Sequence, residues 1–104
     1  MGVEMITILT NIICTAYIWT GSPCANGHWP KVGYTCATSD RTIPFGSTVE
    51  IDGRVWTVED RTNKRFDIPG KQRIDLFLSS KKNALRWGKQ NKSVKLTVKQ
   101  NNKK

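Results

Sequence analysis

Two aspartates beside apolar, strand-like runs are the residues of this 104-residue chain best suited to acid–base chemistry. Asp60 follows the run 55–58, Asp75 precedes the run 76–78, and a polar loop joins the two segments. If the runs pair in one sheet the carboxyl groups converge, and neighbouring acids at the edge of a β-rich core can gain a raised pKa and act as general acids. The alternative interpretation is structural, with Asp60 capping a turn and Asp75 ending a strand.

The sequence offers few residues for other kinds of catalytic chemistry. The cysteines, Cys14, Cys24 and Cys36, lack the spacing of metal ligands, and His28 is the only histidine. We therefore expect neither a metal site nor a cofactor. A cysteine nucleophile could use only His28 as its base, so the cysteines are better interpreted as small apolar strand residues. Their odd number leaves at least one thiol unpaired within the chain, and a bridge between Cys24 and Cys36 stays open.

One small domain must position the acids. A length of 104 residues with 38% hydrophobic content suffices for a single modest core, which we assign to residues 1–99, followed by a basic C-terminal tail, residues 100–104. Alternating residues on both sides of Asp52 and Gly53 predict a two-residue hairpin. Residues 94–99 alternate between apolar and polar side chains, which predicts a final strand with one face inward.

The N-terminal stretch and the helical signal complete the predicted fold. Residues 5–19 are rich in β-branched side chains and predict a long first strand, bent near Asn11. Glu4 stands where an export signal carries Lys or Arg, and polar residues interrupt the apolar run, so neither an export signal nor a membrane span is expected. Residues 81–87 predict a short helix that Gly88 ends. One helix among about six strands predicts a mostly β fold, a small closed six-stranded barrel.

Charge is unevenly distributed along the chain. The net charge is +9, and no acidic residue follows Asp75, whereas nine lysines and arginines do. Such a surface favours a polyanion, which could be nucleic acid, anionic lipid headgroups or the acidic polymers of a bacterial wall, and its plainer interpretation is a solvated face. Residues 20–33, rich in Gly, Pro, Ser and Asn, predict a long loop. Trp29 on this loop either stacks on a sugar ring or a base, or covers the core.

Seven short motifs follow one another in an order that resembles a known family. They are TAY at 15–17, ANG at 25–27, PKVG at 30–33, SDRTIPFG at 39–46, VEDRT at 58–62, RIDLF at 73–77 and ALRWG at 84–88. Together they resemble the 3D domain, named for three aspartates, which is shared by stationary-phase survival proteins, some resuscitation-promoting-factor-like wall proteins and the barrel of the membrane-bound lytic transglycosylase A family. Rare lipoprotein A barrels are similar, but they use a histidine near the first aspartate, where this chain has none.

The resemblance implies a double-psi β-barrel whose aspartates line a groove for the glycan strands of peptidoglycan. Asp40, Asp60 and Asp75 match the three family aspartates in order, and the position of Asp75 is the one assigned as acid and base in the transglycosylase relatives. The chain departs from the family at residues 61–63, which replace a glycine pair, and its loop to Asp75 carries an extra acid, Asp67. The residues that we expect to bind substrate are Trp29, Asn26, Arg61 and Arg73.

The activity implied by the resemblance is that of a lytic transglycosylase, with catalytic Asp75 supported by Asp60 and Asp40. The expected partner is peptidoglycan, bound by a monomer at the bacterial cell wall, without nucleic acid or membrane insertion. Because no export signal is visible, a phage lysis factor, a virion component or a trimmed secreted protein would each account for access to the wall.

Two alternatives to this activity come from other classes of protein. One is a non-catalytic, expansin-like module that binds wall glycan, which the altered loop after Asp60 favours. The other is a small nucleic-acid-binding barrel, suggested by the net charge and by the tryptophans Trp29, Trp56 and Trp87. The ordered acidic motifs disfavour it because they repel phosphate.

Overall fold

The computed structural model of this chain describes the backbone of residues 2–102 and the side chains of residues 5–99, and in it six strands close into a barrel. The strands are β1 (Gly2–Tyr17), β2 (Thr35–Thr38), β3 (Thr48–Ile51), β4 (Arg54–Arg61), β5 (Arg73–Phe77) and β6 (Gln90–Asn102). One helix, α1 (Lys81–Trp87), joins β5 to β6, and a 3-10 turn covers Lys64–Phe66. The predicted mostly β fold, with a closed six-stranded barrel and one short helix, is confirmed. The double-psi connection stays a prediction.

The order of strands around the barrel is β1-β5-β2-β4-β3-β6. β1 pairs in parallel with β5, and β2 pairs in parallel with β4, whereas the other neighbours are antiparallel. β1 is shared between two partners, since residues 2–14 pair with β6 and residues 13–17 pair with β5. The two acid-bearing strands, β4 and β5, therefore lie on either side of β2.

Local sequence signals account for the hairpin and the helix. Asp52 and Gly53 have φ angles of 51° and 80°, the two positive values that a type I′ turn requires, and they join β3 to β4. Ser80 begins α1, because its side-chain oxygen accepts a 3.2 Å hydrogen bond from the backbone N–H of Asn83. Gly88 ends the helix with a φ of 68°. Within the described part of the chain, no helix has both the length and the apolar character needed to cross a membrane.

The predicted ends of the chain are only partly described. β6 begins before the predicted strand 94–99 and continues to Asn102. Residues 103 and 104 of the predicted basic tail lie outside the described residues. The division of the chain at residue 99 stays a prediction.

Apolar side chains from all six strands fill the barrel interior. The buried members of this cluster that lie on the strands are Cys14, Cys36, Val49, Ile51, Trp56, Val58, Ile74, Leu76, Val94 and Leu96, and Ile43 from the loop before β3 joins them. On β5 the inward residues are Ile74 and Leu76, at 0% and 1% exposure. Because side chains alternate along a strand, Asp75 between them points to the outer face of the barrel.

The three cysteines are buried and unbridged in this fold. Burial raises the pKa of Cys14 and of Cys24 to about 11, and it raises the pKa of Cys36 as well. A thiol with a raised pKa carries little thiolate near neutral pH, and the thiolate is the nucleophile. The interpretation as small apolar strand residues fits Cys14 on β1 and Cys36 on β2, but it is wrong for Cys24, which lies in the loop between these strands. The bridge between Cys24 and Cys36 is not formed.

Candidate active site

Strand pairing brings Asp60 and Asp75 into one row of the sheet. Asp75 on β5 lies opposite Thr15 on β1 and opposite Ala37 on β2, and Ala37 in turn lies opposite Asp60 on β4. Neighbouring strands lie about 4.8 Å apart, so the backbones of the two aspartates are separated by roughly 10 Å. Ala37, which is 3% exposed, is the β2 residue that lies between the two acids in this row.

A β-bulge in β4 directs Asp60 to the same face as Asp75. Cys36 pairs with Val58 and Ala37 pairs with Asp60, so Glu59 is an extra residue that has no counterpart on β2. With regular alternation Asp60 would share the inward face of Val58, which is fully buried in the core. The extra residue reverses this alternation and turns Asp60 outward, which is the effect that bulges commonly have beside functional sites.

Asp75 lies in a partly desolvated environment that favours its protonated form. Burial raises its pKa, the negative charge of Asp60 raises it further, and the positive charge of Arg73 acts in the opposite direction. The hydroxyl of Thr15 donates a hydrogen bond to Oδ1 of Asp75 across the β1–β5 pairing. This contact fixes the orientation of the carboxyl group. A positioned acid with a raised pKa is the arrangement that general acid catalysis needs.

Asp60 is held by three hydrogen bonds and has little freedom to move. Its Oδ1 accepts from the backbone N–H groups of Ala25 and Arg61, both at 2.9 Å, and its Oδ2 accepts from the hydroxyl of Tyr17 at 3.2 Å. Burial and the charge of Asp60 raise the pKa of Tyr17, so that its phenol stays a proton donor. Asp60 thus presents a fixed negative charge beside Asp75.

Asp40 is engaged in its own turn and does not contact the other two aspartates. Its Oδ1 accepts hydrogen bonds from the backbone N–H and the hydroxyl of Thr42, at 2.9 and 2.6 Å. Its backbone carbonyl accepts from the N–H of Ile43 at 3.2 Å. The charge of Asp40 does act on Arg61, whose guanidinium also feels Asp60. The structure therefore brings two of the predicted catalytic residues together, and a catalytic role for Asp40 stays a prediction.

The two predicted substrate-binding arginines pack on aromatic rings. Arg61 lies 4.2 Å from the ring centre of Phe45 and donates from Nη2 to the carbonyl of Ile43 at 2.7 Å. Arg73 lies 3.8 Å from the ring centre of Phe66, in the loop between β4 and β5. Both arginines thereby fasten the loops that flank the acids. Burial lowers the pKa of Arg61.

The loop between β4 and β5 is anchored to the barrel. Gln72 donates from Nε2 to Asp67 Oδ1 at 2.8 Å and accepts a hydrogen bond from the hydroxyl of Ser39. The same hydroxyl oxygen accepts from the backbone N–H of Arg73 at 3.0 Å. Asp67, the extra acid of this loop, therefore has a structural role in the approach to Asp75.

A second buried acid, Glu59, holds the loop before β2 against the site. Its side chain accepts a 2.7 Å hydrogen bond from Thr35 Oγ1 and lies 3.3 Å from Nδ1 of His28. Its backbone carbonyl accepts from the N–H of Asn26 at 3.1 Å, and the Asn26 side chain accepts from the N–H of His28 at 2.9 Å. Asn26, predicted to bind substrate, thus shapes the loop that donates the Ala25 N–H to Asp60.

Trp29, also predicted to bind substrate, lies on this loop with 56% of its surface exposed and stacks on Trp19. Sequence reasoning assigned no role to Trp19, Glu59, Thr15 or Tyr17. Thr15 and Tyr17 alternate within the TAY motif, and this spacing places both on the outward face of β1. That alternation is the sequence signal from which their place beside the acids could have been predicted.

No group of three or more His, Cys, Asp or Glu side chains in the described residues is arranged to hold a metal ion.

Known proteins resemble the segment that carries this site. The family model of the 3D domain matches residues 34–100, a range that includes Asp40, Asp60 and Asp75. A Bacillus subtilis protein named B-enzyme is 40% identical to this chain over 52 residues, which cover 40% of this chain and 44% of that protein. The alignment thus spans less than half the length of this relative. No solved structure gives a significant match.

Proposed function

Because the chain belongs to the 3D domain family, whose members are typically related to the cell wall, we propose that it is a peptidoglycan lytic transglycosylase. It cleaves the β-1,4 bond between N-acetylmuramic acid and N-acetylglucosamine and leaves 1,6-anhydro ends. The observation that carries the proposal is the partly buried Asp75, with a raised pKa and with a second acid, Asp60, across the intervening strand β2. The name of the Bacillus subtilis relative, which calls it an enzyme, supports a catalytic role.

Asp75 serves as acid and then as base in the proposed reaction. In its protonated form it donates to the glycosidic oxygen, so that the bond to C1 of muramic acid breaks and the leaving sugar departs as an alcohol. The resulting carboxylate then takes the proton of the C6 hydroxyl while that oxygen bonds to C1, which closes the anhydro ring and restores the acid. Thr15 keeps the Asp75 carboxyl oriented through both steps.

The surroundings of Asp60 favour this single-acid route over hydrolysis. Glycoside hydrolases use two carboxyl groups, one of which activates water or attacks the sugar. Asp60 already accepts two backbone N–H groups and the Tyr17 hydroxyl, which leaves it poorly placed to take a proton from water. Its proposed contribution is a fixed negative charge that stabilises positive charge on the sugar ring in the transition state. Asp40 contributes indirectly, because it holds the turn in which the carbonyl of Ile43 accepts the hydrogen bond from Arg61.

The nature of the cleaved ends tests the proposal. Purified peptidoglycan is digested with the protein, the soluble products are treated with borohydride, and their masses are compared before and after treatment. Anhydro ends have no free aldehyde and keep their mass, whereas hydrolytic ends gain two hydrogens. Unchanged masses, each one water below the hydrolytic product, are the expected result. Reducible ends would make the protein a hydrolase, and retention on the wall pellet without soluble products would make it a glycan-binding module.

The raised pKa of Asp75 predicts how cleavage and stability change with pH. Cleavage requires the protonated acid, so its rate should fall as pH rises through the pKa of Asp75. Folding stability should follow the same sign, because a carboxyl group with a folded-state pKa above its ordinary value of about 3.9 binds the proton more tightly in the native state. This stabilisation is complete below the ordinary value and is lost as pH rises through the raised one.

Urea unfolding across a pH series, applied to the wild type and to Asp75→Asn, measures this stability difference. Asp75→Asn, which cannot ionise, should not lose stability in this way, whereas the wild type should lose about 1.4 kcal/mol of unfolding free energy for each unit by which the pKa is raised. If the free energy of unfolding changed with pH equally in the two proteins, the pKa of Asp75 would be the same in the folded and the unfolded state. The rate profile would then need another acid.

A further inference from the structure

We propose that the stacked indoles of Trp19 and Trp29 form a subsite that binds one sugar ring of the glycan strand beside the acid site. The two ring centres lie 5.5 Å apart with an angle of 27° between the ring planes. Trp19 is 57% exposed and Trp29 is 56% exposed, and neither belongs to the barrel core. Two adjacent indoles left more than half in water form an apolar surface of the kind that marks binding sites.

The loop that carries Trp29 is fixed before any ligand arrives. Cys24 donates its backbone N–H to the carbonyl of His28 at 2.8 Å, which closes a tight turn. This turn is tied to Glu59 through His28 and through the N–H of Asn26. The stack on Trp19 adds a further restraint. A ligand therefore binds a surface that is already ordered, which reduces the entropic cost of association.

The two tryptophans are close along the chain to the two residues that hold Asp60 from this side of the barrel. Trp19 is two residues from Tyr17, whose hydroxyl binds Asp60, and Trp29 is four residues from Ala25, whose N–H binds the same carboxylate. Two residues of extended chain span at most about 7 Å, and four span at most about 14 Å. A polymer bound at Asp75 can thus reach the indoles with one of its neighbouring units.

The chemistry around the indoles selects a sugar polymer among the ligands that stack on aromatic rings. One face of a pyranose ring presents polarised C–H groups, which are attracted to the negative face of an indole. Nucleic acid bases also stack, but the carboxylate of Asp60, which is bound by Tyr17 and by the N–H of Ala25 close to the two indoles, repels phosphate. An uncharged N-acetylated glycan backbone meets no such repulsion. This inference rests on the proposed function for the identity of the polymer.

The experiment measures binding in the Asp75→Asn background, so that cleavage does not consume the ligand. The probe is a soluble oligomer of N-acetylglucosamine, followed by isothermal titration calorimetry. Trp19→Ala and Trp29→Ala should each weaken the affinity roughly threefold to tenfold, the range expected for one aromatic contact. Trp29→Phe should keep most of the affinity that Trp29→Ala loses. Leu85→Ala, at a 71% exposed position on α1, is the matched control and should bind as tightly as the background protein.

The outcomes separate this inference from the proposed function. Equal oligomer affinities for the tryptophan variants and the Leu85→Ala control would overturn the subsite, even if the wild type cleaves peptidoglycan. Tryptophan-dependent binding by a protein that never cleaves would uphold the subsite and overturn the transglycosylase. Tryptophan-dependent binding to single-stranded DNA or to anionic vesicles, without binding to the oligomer, would overturn the sugar ligand. Circular dichroism of each variant verifies that the barrel is folded.

Discussion

Replacement of Asp75 by asparagine is expected to slow peptidoglycan cleavage by about 10²- to 10⁴-fold, the usual contribution of a positioned general acid or base. Asparagine keeps the shape of the carboxyl group and can still accept the hydrogen bond from Thr15. It cannot donate a proton to the glycosidic oxygen or take one from the C6 hydroxyl. The initial rate of release of soluble muropeptides from purified walls measures the effect.

Asp52→Asn is the matched control for this loss. Asp52 has a side chain that is 61% exposed, pairs with Lys92 and lies in the β3–β4 hairpin, away from the acid row. The substitution removes the same charge and leaves the site untouched, so cleavage should proceed at the wild-type rate. A full rate in Asp75→Asn, with anhydro products still released, would show that another residue supplies the proton.

Truncation of Ile74 to alanine should have the largest effect on stability among single changes near the site. Ile74 precedes Asp75 on β5, and its side chain is fully buried in the core cluster inside the barrel. Removal of three buried carbons from such a position typically lowers the free energy of unfolding by about 2–5 kcal/mol. For a domain of this size, each kcal/mol lowers the melting temperature by roughly 4–8 °C. Urea unfolding and thermal scans measure both quantities.

Ile74→Val provides the graded control, with an expected loss of about 0.5–1.5 kcal/mol. Cleavage by the alanine variant should be assayed well below its melting temperature. Because Ile74 and Asp75 are adjacent on β5, a cavity on the inner face can also loosen the contact between Asp75 and Thr15. Equal stabilities for the two variants would mean that the barrel closes around the missing carbons.

The parts of the fold governed by neighbouring residues could be predicted from the sequence. The Asp52-Gly53 turn depends on the tolerance of these two residues for positive φ, and the helix depends on Ser80 and Gly88 at its ends. The sequence predicts convergence of Asp60 and Asp75 only if their two runs pair in one sheet, and in the barrel both strands pair with β2, which lies between them.

What could not be predicted depends on register between distant strands. Ala37 lies between the two acids because β2 pairs with β5 on one side and with β4 on the other, and the pairing with β4 contains the bulge at Glu59. No local sequence pattern predicts such an extra residue in a strand. The stack of Trp19 on Trp29 likewise depends on how the loop between β1 and β2, residues 18–34, folds back on itself. Asp40 is a different case, because an aspartate two residues before a threonine is a common turn signal.

The pairing of β1 with β5 and β6 also bears on how this protein folds. Thr15 and Asp75 are 60 positions apart, and their strands run in parallel, so no hairpin can bring them together. Contacts of such long range form slowly, since chain entropy must be lost before they are gained. Thr15, the residue that orients Asp75, thus comes from the first strand, and β1 also pairs with β6, the last. We therefore expect an intermediate lacking this closure to cleave no peptidoglycan, so that cleavage activity recovered after dilution from denaturant would report directly on barrel closure.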